Sequence, residues 1–271
     1  MHDRLSINNI CFLDSSLEQQ AEYWKQLGPQ RISLVGPHLE AEGVAAARAA
    51  LASGNYQIET IIHPFSPALP LTADEPGWRV PRARLATQID VARQLGAQSI
   101  YMTTGGRGEM SWEQAADAFA EAIEPCLEPA EAAGIELMIE NAPLQYADMH
   151  MAHSLRDTVR LAKLAGIGVC IDLFSCWADA ELENVFLNAL PLCHLVQVSD
   201  YVFGDRNLPA RAVPGDGGMP LKRILGFLLE SGYSGVFDLE LLGPRIDAEG
   251  QLSAVERGAN VIDKLLHSLG A

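Results

Sequence analysis

Four oxygen-bearing side chains, each at the end of a short apolar run, are the residues of this sequence best suited to chemistry. They are, in chain order, Glu140, Asp172, Gln197 and Glu240, at separations of 32, 25 and 43 residues. Each separation leaves room for a loop, a helix and a return to the next strand. A strand rich in Val, Ile and Leu has a physical reason to end in an acid only where that acid meets a cation, a partner or water. Together, the four endings indicate a site for a metal ion.

The elements that would position these residues alternate regularly along the sequence. Eight strand-like runs are predicted at residues 5–12, 31–36, 58–65, 99–104, 135–140, 167–172, 194–200 and 235–241. Several are apolar almost throughout, as is typical of parallel strands buried on both faces. A helical pattern follows each run, and 271 residues suit one barrel of roughly 250 residues. The sequence therefore predicts an α/β protein with a single (β/α)8 TIM barrel domain over residues 1–271. An open, doubly wound sheet is the alternative.

In a parallel barrel, all strands bring their carboxyl ends to one rim. Side chains alternate between the two faces of a strand, so Glu240 shares a face with Asp238, and Asp172 with Cys170. If the bulky aliphatic residues between them pack on the helices, the four candidates point into the barrel mouth. In the alternative interpretation, each acid is solvated and caps the next helix.

The composition narrows the class of partner and the cellular location. Lys and Arg number 19 and Asp and Glu 35, a net charge of −16, which disfavours binding to nucleic acid. No apolar run approaches the ~20 residues that span a bilayer, and the N-terminal segment lacks the features of a signal peptide. The five cysteines show no CxxC spacing, which favours a reducing compartment. We expect a cytoplasmic protein with a small-molecule substrate, and a homo-oligomer is compatible with the sequence.

Five short motifs occur in order between about residues 135 and 245: ENAP, IDLF, VQVSD, VPGDG and FDLELL. In this order they resemble the sugar isomerase/epimerase family with a xylose isomerase-like TIM barrel, which includes ketose 3-epimerases and inosose isomerases. The resemblance implies that one divalent metal is bound by Glu140, Asp172, Gln197 and Glu240. It also implies that Glu140 and Glu240 are catalytic and exchange protons with a substrate carbon through an enediolate.

Position 197 departs from the family pattern, which usually has a histidine there. Glutamine can ligate through its side-chain oxygen, so the predicted ligand set is entirely oxygen. Such a set favours Mn²⁺ or Mg²⁺, with Zn²⁺ or Co²⁺ as the other candidates. His194 lies three residues earlier, on the opposite face of the strand, where it is expected to be a packing histidine rather than a replacement ligand.

Four further residues are predicted to bind substrate. Arg211 matches a family arginine that contacts substrate oxygens, and its alternative role is that of a surface charge. His63 ends the third strand, where it could bond a substrate hydroxyl or a ligating glutamate, or alternatively cap the loop. Asn141, in the ENAP motif, and Trp177, on a rim loop, complete the set.

Other features of the predicted rim have two interpretations each. Trp78, Trp112, Phe65 and Phe203, like Trp177, could line a pocket or pack against helices. The glycine-rich segment 103–108 is compatible with a backbone nest for an anion, or with a tight turn alone. Specificity is expected to reside in the loops 66–80, 105–110, 175–179 and 201–218.

Two rival functions are open on the sequence. In a lyase or dehydratase, the same enolate would expel a leaving group instead of being reprotonated. In a binding protein, catalysis would have been lost with the histidine at position 197. The presence of Glu140, Glu240 and Asp172 argues against the second rival.

Overall fold

The computed structural model describes residues 1–67 and 70–271 of the chain. The strands are β1 (Leu5–Asn8), β2 (Arg31–Val35), β3 (Gln57–Pro64), β4 (Ser99–Thr103), β5 (Glu136–Glu140), β6 (Gly168–Asp172), β7 (Cys193–Val198), β8 (Asp200–Tyr201), β9 (Arg211–Ala212) and β10 (Val236–Leu239). The α-helices are α1 (Leu17–Leu27), α2 (Gly36–Leu51), α3 (Glu75–Leu95), α4 (Trp112–Ala133), α5 (Leu155–Ala165), α6 (Leu173–Cys176), α7 (Leu182–Ala189), α8 (Leu221–Glu230), α9 (Pro244–Glu249) and α10 (Gln251–Leu269).

Eight of these strands form a closed barrel in the order β1-β10-β7-β6-β5-β4-β3-β2. The pairs described between them are parallel. The predicted (β/α)8 barrel is therefore confirmed, and the open doubly wound sheet is wrong. The two short strands β8 and β9 pair antiparallel with each other, outside the barrel.

Helices α1 and α4 begin and end at residues that suit those positions. Ser16 and Ser111 precede α1 and α4, and each forms a reciprocal capping box with the glutamine three residues later. Both helices end at a glycine in the left-handed conformation, Gly28 and Gly134. Among the helices of the described residues, none is both long and apolar enough to cross a membrane.

The first strand is shorter than predicted. Residues 5–12 form an apolar run, but β1 ends at Asn8, whose side chain accepts a hydrogen bond from the backbone N–H of Ile10. The chain then turns into a short 3-10 helix, Asn9–Phe12. A local bond from an asparagine side chain competes with the strand ladder, and here it ends the strand.

The chain divides into two compact halves. One half comprises residues 1–59 and 195–271, and the other comprises residues 60–194. The first half carries Gln197, Arg211 and Glu240. The candidate residues of the second half are His63, Glu140, Asn141, Asp172 and Trp177.

Candidate active site

The four predicted ligands lie at or beside the carboxyl ends of strands and are buried. Glu140 and Asp172 are the last residues of β5 and β6, Gln197 lies in β7, and Glu240 directly follows β10. Their exposed fractions are 8%, 0%, 0% and 4%. The interpretation that these acids are solvated is therefore wrong. A buried carboxylate requires a compensating charge or hydrogen-bond donors.

In the first half, Glu240 is held by two side chains. Nη2 of Arg211 lies 2.8 Å from Oε1 of Glu240, and the amide nitrogen of Gln197 donates to Oε2. Nη1 of Arg211 also donates to the hydroxyl of Ser199 at 3.3 Å. Arg211 is buried, so it is not the surface charge of the alternative interpretation. Because Gln197 turns its nitrogen to Glu240, its amide oxygen is the atom suited to a cation.

In the second half, Asp172 combines burial with a capping role. Its Oδ1 accepts from the backbone N–H of Phe174 at 3.0 Å and its Oδ2 from the hydroxyl of Ser175 at 2.5 Å. The capping interpretation is thus confirmed for Asp172, which begins the short helix α6. A carboxylate with two bound donors keeps further lone pairs for a cation.

Asn141 connects the ends of two neighbouring strands. Its Nδ2 donates to the carbonyl oxygen of Asp172, and its Oδ1 accepts from the N–H of Asp172, both at 2.9 Å. The amide thereby fixes the backbone that carries Asp172. The substrate contact that the sequence indicated for Asn141 stays a prediction, and so does that of the half-buried Trp177, which follows α6.

His63 is fully buried near the end of β3. Neither of its ring nitrogens has a hydrogen-bond partner among the residues that the structure describes. Burial, and secondarily the charge of Arg84, lowers the pKa of His63 to about 3, so the ring is neutral at physiological pH. A neutral imidazole offers one donor and one acceptor. His63 is therefore not a capping residue, and its ring is suited to bond a substrate hydroxyl.

Replacing His63 by Leu is expected to stabilise the protein by about 1 kcal/mol, because it removes polar atoms that are buried without partners. The thermal unfolding midpoint should rise by roughly 2–4 °C, measured by calorimetry. The control is His150→Leu. His150 is equally buried but both of its ring nitrogens are bonded, so this variant should unfold at a lower temperature. A lower midpoint for His63→Leu would show that the imidazole is satisfied in solution.

Three of the five rim aromatics pack on helices instead of lining a pocket. The ring of Phe65 meets Phe119 edge-on, with centroids 5.5 Å apart. The indole nitrogen of Trp78 donates to a backbone carbonyl at 2.7 Å. The guanidinium of Arg160 lies 4.4 Å from the ring centre of Trp112. These rings serve helix packing.

Phe203 differs from these rings because it is 69% exposed. Its ring lies against Gly218, where an added Cβ would approach within 2.1 Å of a ring carbon. The glycine thus allows the ring to lie on the backbone of the same loop. The loop 66–80, where specificity was also predicted to reside, includes residues 68 and 69, which lie outside the described residues.

The glycine-rich segment 103–108 does not form an anion nest. The amides of Gly105 and Gly106 donate to the carbonyls of Met149 and Asp148, at 2.9 and 3.1 Å. A Cβ on Gly106 would lie 2.6 Å from the Asp148 oxygen. The glycine permits one backbone to approach another, and the amides are used in that contact between two loops.

Asp200 organises the loop that carries Arg211, and sequence reasoning missed this role. Its buried carboxylate accepts hydrogen bonds from four backbone N–H groups, at 2.8–3.1 Å: those of Tyr201, Gly215, Gly217 and Met219. An acid directly followed by a glycine-rich loop was the available signal. A carboxylate is well suited to four donors because it has only acceptor sites.

Replacing Asp200 by Asn is therefore expected to cost about 3 kcal/mol, because an amide NH₂ group would face backbone donors. The unfolding midpoint should fall by roughly 6–12 °C, measured by calorimetry. Asp247→Asn is the matched control, since Asp247 is exposed and its side chain bonds Gln251 on the surface. Equal midpoints for the two variants would contradict the role assigned to Asp200.

Asp238 belongs to a polar cluster that precedes Glu240 on the same face, as the alternation along β10 indicated. Its carboxylate accepts from Asn8 at 2.8 Å and from Ser33 at 2.9 Å. Burial raises the pKa of Asp238 to about 7, although its hydrogen bonds oppose the shift. Asp238 and Glu240, two residues apart on this face, are thus both buried and polar.

His194 is not buried, contrary to the prediction of a packing histidine, whereas the prediction that it is not a replacement metal ligand stays a prediction. Its side chain is 43% exposed, and Nε2 lies 3.8 Å from the carboxylate of Glu136. His194 is the second residue of β7, and side chains at the end of a strand are covered by fewer neighbouring residues than those at its centre. His194 lines a cavity of about 690 Å³ together with Glu136, Gly168 and Lys163. This cavity lies at the amino ends of β5 and β6, whereas TIM-barrel active sites lie at the carboxyl ends.

The candidate ligands fit a hard divalent cation by the chemistry of their donor atoms. They comprise three carboxylates and one amide oxygen, the ligands that Mg²⁺ and Mn²⁺ prefer. Each half of the chain contributes two of them. Within the described residues, no three or more His, Cys, Asp or Glu side chains form a group that could hold a metal ion.

Several solved structures have this fold. Protein SMc04130 from Sinorhizobium meliloti 1021 is 21% identical with a TM-score of 0.80, and 98% of each chain is covered. The IOLI protein with a bound zinc atom is 15% identical with a TM-score of 0.79, over 98% of this chain and 99% of that one. D-psicose 3-epimerase from Clostridium cellulolyticum H10, solved with D-tagatose, is 15% identical with a TM-score of 0.78, over 98% of this chain and 99% of that one. The sequence has no match among curated proteins.

The TM-scores show that these structures share the fold of this chain. The family is shown by a match to the sequence. The family model described as xylose isomerase-like TIM barrel matches residues 20–265, most of the chain. The closed eight-stranded barrel agrees with that match. The chain belongs to the xylose isomerase-like TIM barrel family.

Proposed function

We propose that this chain is a divalent-metal-dependent isomerase or epimerase of a small sugar, inosose or related keto-hydroxy compound. The observation that carries the proposal is the burial of four oxygen-bearing side chains at the carboxyl ends of β5, β6, β7 and β10. Burying a carboxylate costs several kcal/mol unless a cation or good donors compensate. Arg211 and Gln197 compensate Glu240, and a divalent cation would add positive charge beside the carboxylates.

In this proposal Glu140, Asp172, Gln197 and Glu240 hold one Mn²⁺ or Mg²⁺, with Zn²⁺ or Co²⁺ as the other candidates. When bound, the ion would supply positive charge beside the substrate oxygens on which negative charge develops. The zinc atom in the related IOLI structure supports a divalent metal in this family. The glutamine at position 197 is the reason for favouring a harder ion in this chain.

The two glutamates would move the proton. Glu240 accepts from Arg211 and Gln197, which hold the carboxylate that would take a proton from a substrate carbon. Glu140 would return a proton to the other face of that carbon, and so invert it. The neutral ring of His63 would bond a substrate hydroxyl, and Asn141, Trp177 and Arg211 would complete the contacts.

Elimination is the second outcome that the same enediolate permits, and product analysis separates the two reactions. Isomerisation conserves the mass of the substrate, whereas elimination of water does not. A binding protein without catalysis would give neither product. A cytoplasmic location, a single domain over residues 1–271 and a homo-oligomer stay predictions.

The deciding experiment incubates the purified protein with Mn²⁺ in D₂O across a panel of ketoses, inososes and keto-glycosides. We expect one class of compound to gain deuterium next to its carbonyl and to form an isomer whose composition is otherwise unchanged. The same incubation without the protein serves as the control for non-enzymatic exchange. Exchange followed by loss of water would establish the lyase. Tight binding of a panel compound without exchange would overturn the proposal in favour of a binding protein.

Replacing Gln197 by His is expected to shift metal preference toward Zn²⁺ or Co²⁺, because imidazole is a softer ligand than an amide oxygen. Competition titrations with Mg²⁺, Mn²⁺ and Zn²⁺ measure the shift. His194→Gln, which alters a histidine near the other end of the same strand, should leave the preference unchanged. Identical relative affinities in Gln197→His and the parent protein would show that residue 197 does not contact the metal.

A further inference from the structure

His150 is a fully buried histidine in the loop between β5 and α5. Its Nδ1 lies 3.0 Å from the backbone nitrogen of Thr104. A backbone N–H can only donate, so Nδ1 is the acceptor and Nε2 carries the proton of the neutral ring. Nε2 lies 2.7 Å from the carbonyl oxygen of Glu140 and donates to it. The ring therefore connects the chain just after β4 to the last residue of β5.

The side chain of Thr104 strengthens this connection. Its hydroxyl donates to the carbonyl of Gly105 at 2.7 Å and accepts from the N–H of Met151 at 3.2 Å. Thr104, the partner of Nδ1, is thus held in place by neighbouring bonds. Burial lowers the pKa of His150 to about 4, which agrees with a neutral ring bonded at both nitrogens.

We propose that His150 is a positioning residue for Glu140. The ring fixes the carbonyl of Glu140, and with it the backbone torsion that sets the direction in which the Glu140 carboxylate leaves the strand. This inference rests on the proposed function, in which Glu140 holds a metal ion and moves a proton. Residues that hydrogen-bond a metal ligand and fix its orientation typically contribute about 10–100-fold to metal affinity.

The test measures Mn²⁺ affinity of the full chain by calorimetric titration. His150→Gln should bind Mn²⁺ about 10–100-fold more weakly than the parent protein. The matched control is His153→Gln, because His153 lies in the same loop and bonds the carbonyl of Ala142 at 3.1 Å. This control should keep an affinity close to that of the parent protein. Thermal unfolding of each variant is recorded alongside.

Equal losses in His150→Gln and His153→Gln would indicate general loosening of the loop and overturn the inference, as would an unchanged affinity in His150→Gln. If His150→Gln does not fold, His150→Asn decides. An asparagine can accept from the Thr104 N–H as Nδ1 does but is too short to reach the Glu140 carbonyl, so a weakened Mn²⁺ affinity supports the inference and an unchanged one overturns it. A different result would contradict the proposed function itself: the parent protein and Glu140→Gln would bind Mn²⁺ equally, or neither would bind it.

Discussion

Replacing Glu240 by Gln is expected to reduce turnover by about 10²–10⁴-fold while the fold and much of the substrate binding are retained. A glutamine can still offer an oxygen to a metal ion and to Arg211, but it cannot accept a proton at neutral pH. The loss therefore falls on proton transfer. The measurement is kcat and KM on the compound identified by deuterium exchange, and the expected change is in kcat.

Glu140→Gln should lose turnover to a similar degree, because the two glutamates are proposed to serve opposite faces of one carbon. Solvent exchange gives a sharper readout, since a variant that lacks one base can still exchange the proton of one epimer without completing inversion. Glu136→Gln is the matched control: it lies at the exposed start of the same strand, β5. Near-parental turnover in both Glu140→Gln and Glu240→Gln would disprove the two-glutamate mechanism.

Replacing Asp172 by Asn is expected to weaken Mn²⁺ binding strongly, at least 10–100-fold, with little change in stability. Asparagine is as good a helix cap as aspartate, so the bond to the Phe174 N–H that begins α6 can be retained while the charge is removed. This substitution thus separates the capping role of Asp172 from its proposed metal-binding role. Calorimetric titration with Mn²⁺ measures the affinity, and calorimetric unfolding measures the stability.

Asp117→Asn is the control for a general effect of charge, because Asp117 is exposed on α4. Crystals grown with Mn²⁺ should show one ion per chain with ligand distances of ~2.0–2.6 Å. An affinity of Asp172→Asn equal to that of the parent protein would reduce Asp172 to a buried helix cap.

The parts of the structure predictable from the sequence are those determined by local patterns. Largely apolar runs of six to eight residues, separated by helical patterns, were enough to predict the eight barrel strands, because burial on both faces of a parallel strand leaves a nearly continuous apolar signal. The strand-end positions of Glu140, Asp172 and Glu240 follow from the same runs. The end of β1 at Asn8 was missed because a side-chain bond to the backbone outweighed the apolar residues beyond it.

The contacts that organise the loops were not predictable in the same way. His150 bonds the backbone of a residue 46 positions away, and the donors to Asp200 lie up to 19 positions along the chain. Their bonding partners are backbone carbonyls and amides, which every residue possesses, so the sequence does not identify those partners, although the glycine-rich loop after Asp200 was a signal for that residue. The exposure of His194 shows a related limit: alternation assigns a face of the strand but not how well that face is covered.

The close contact of Gly106 with the carbonyl of Asp148 has a consequence for efforts to change substrate preference. The loops after β4 and β5 share backbone bonds at adjacent residues, so neither can be lengthened or remodelled alone. A library that randomises residues 105–110 while keeping position 106 as glycine would preserve the junction, whereas one that varies position 106 would contain mostly misfolded rims. Loop exchange between members of this family should accordingly transfer segments 104–111 and 141–154 as one unit.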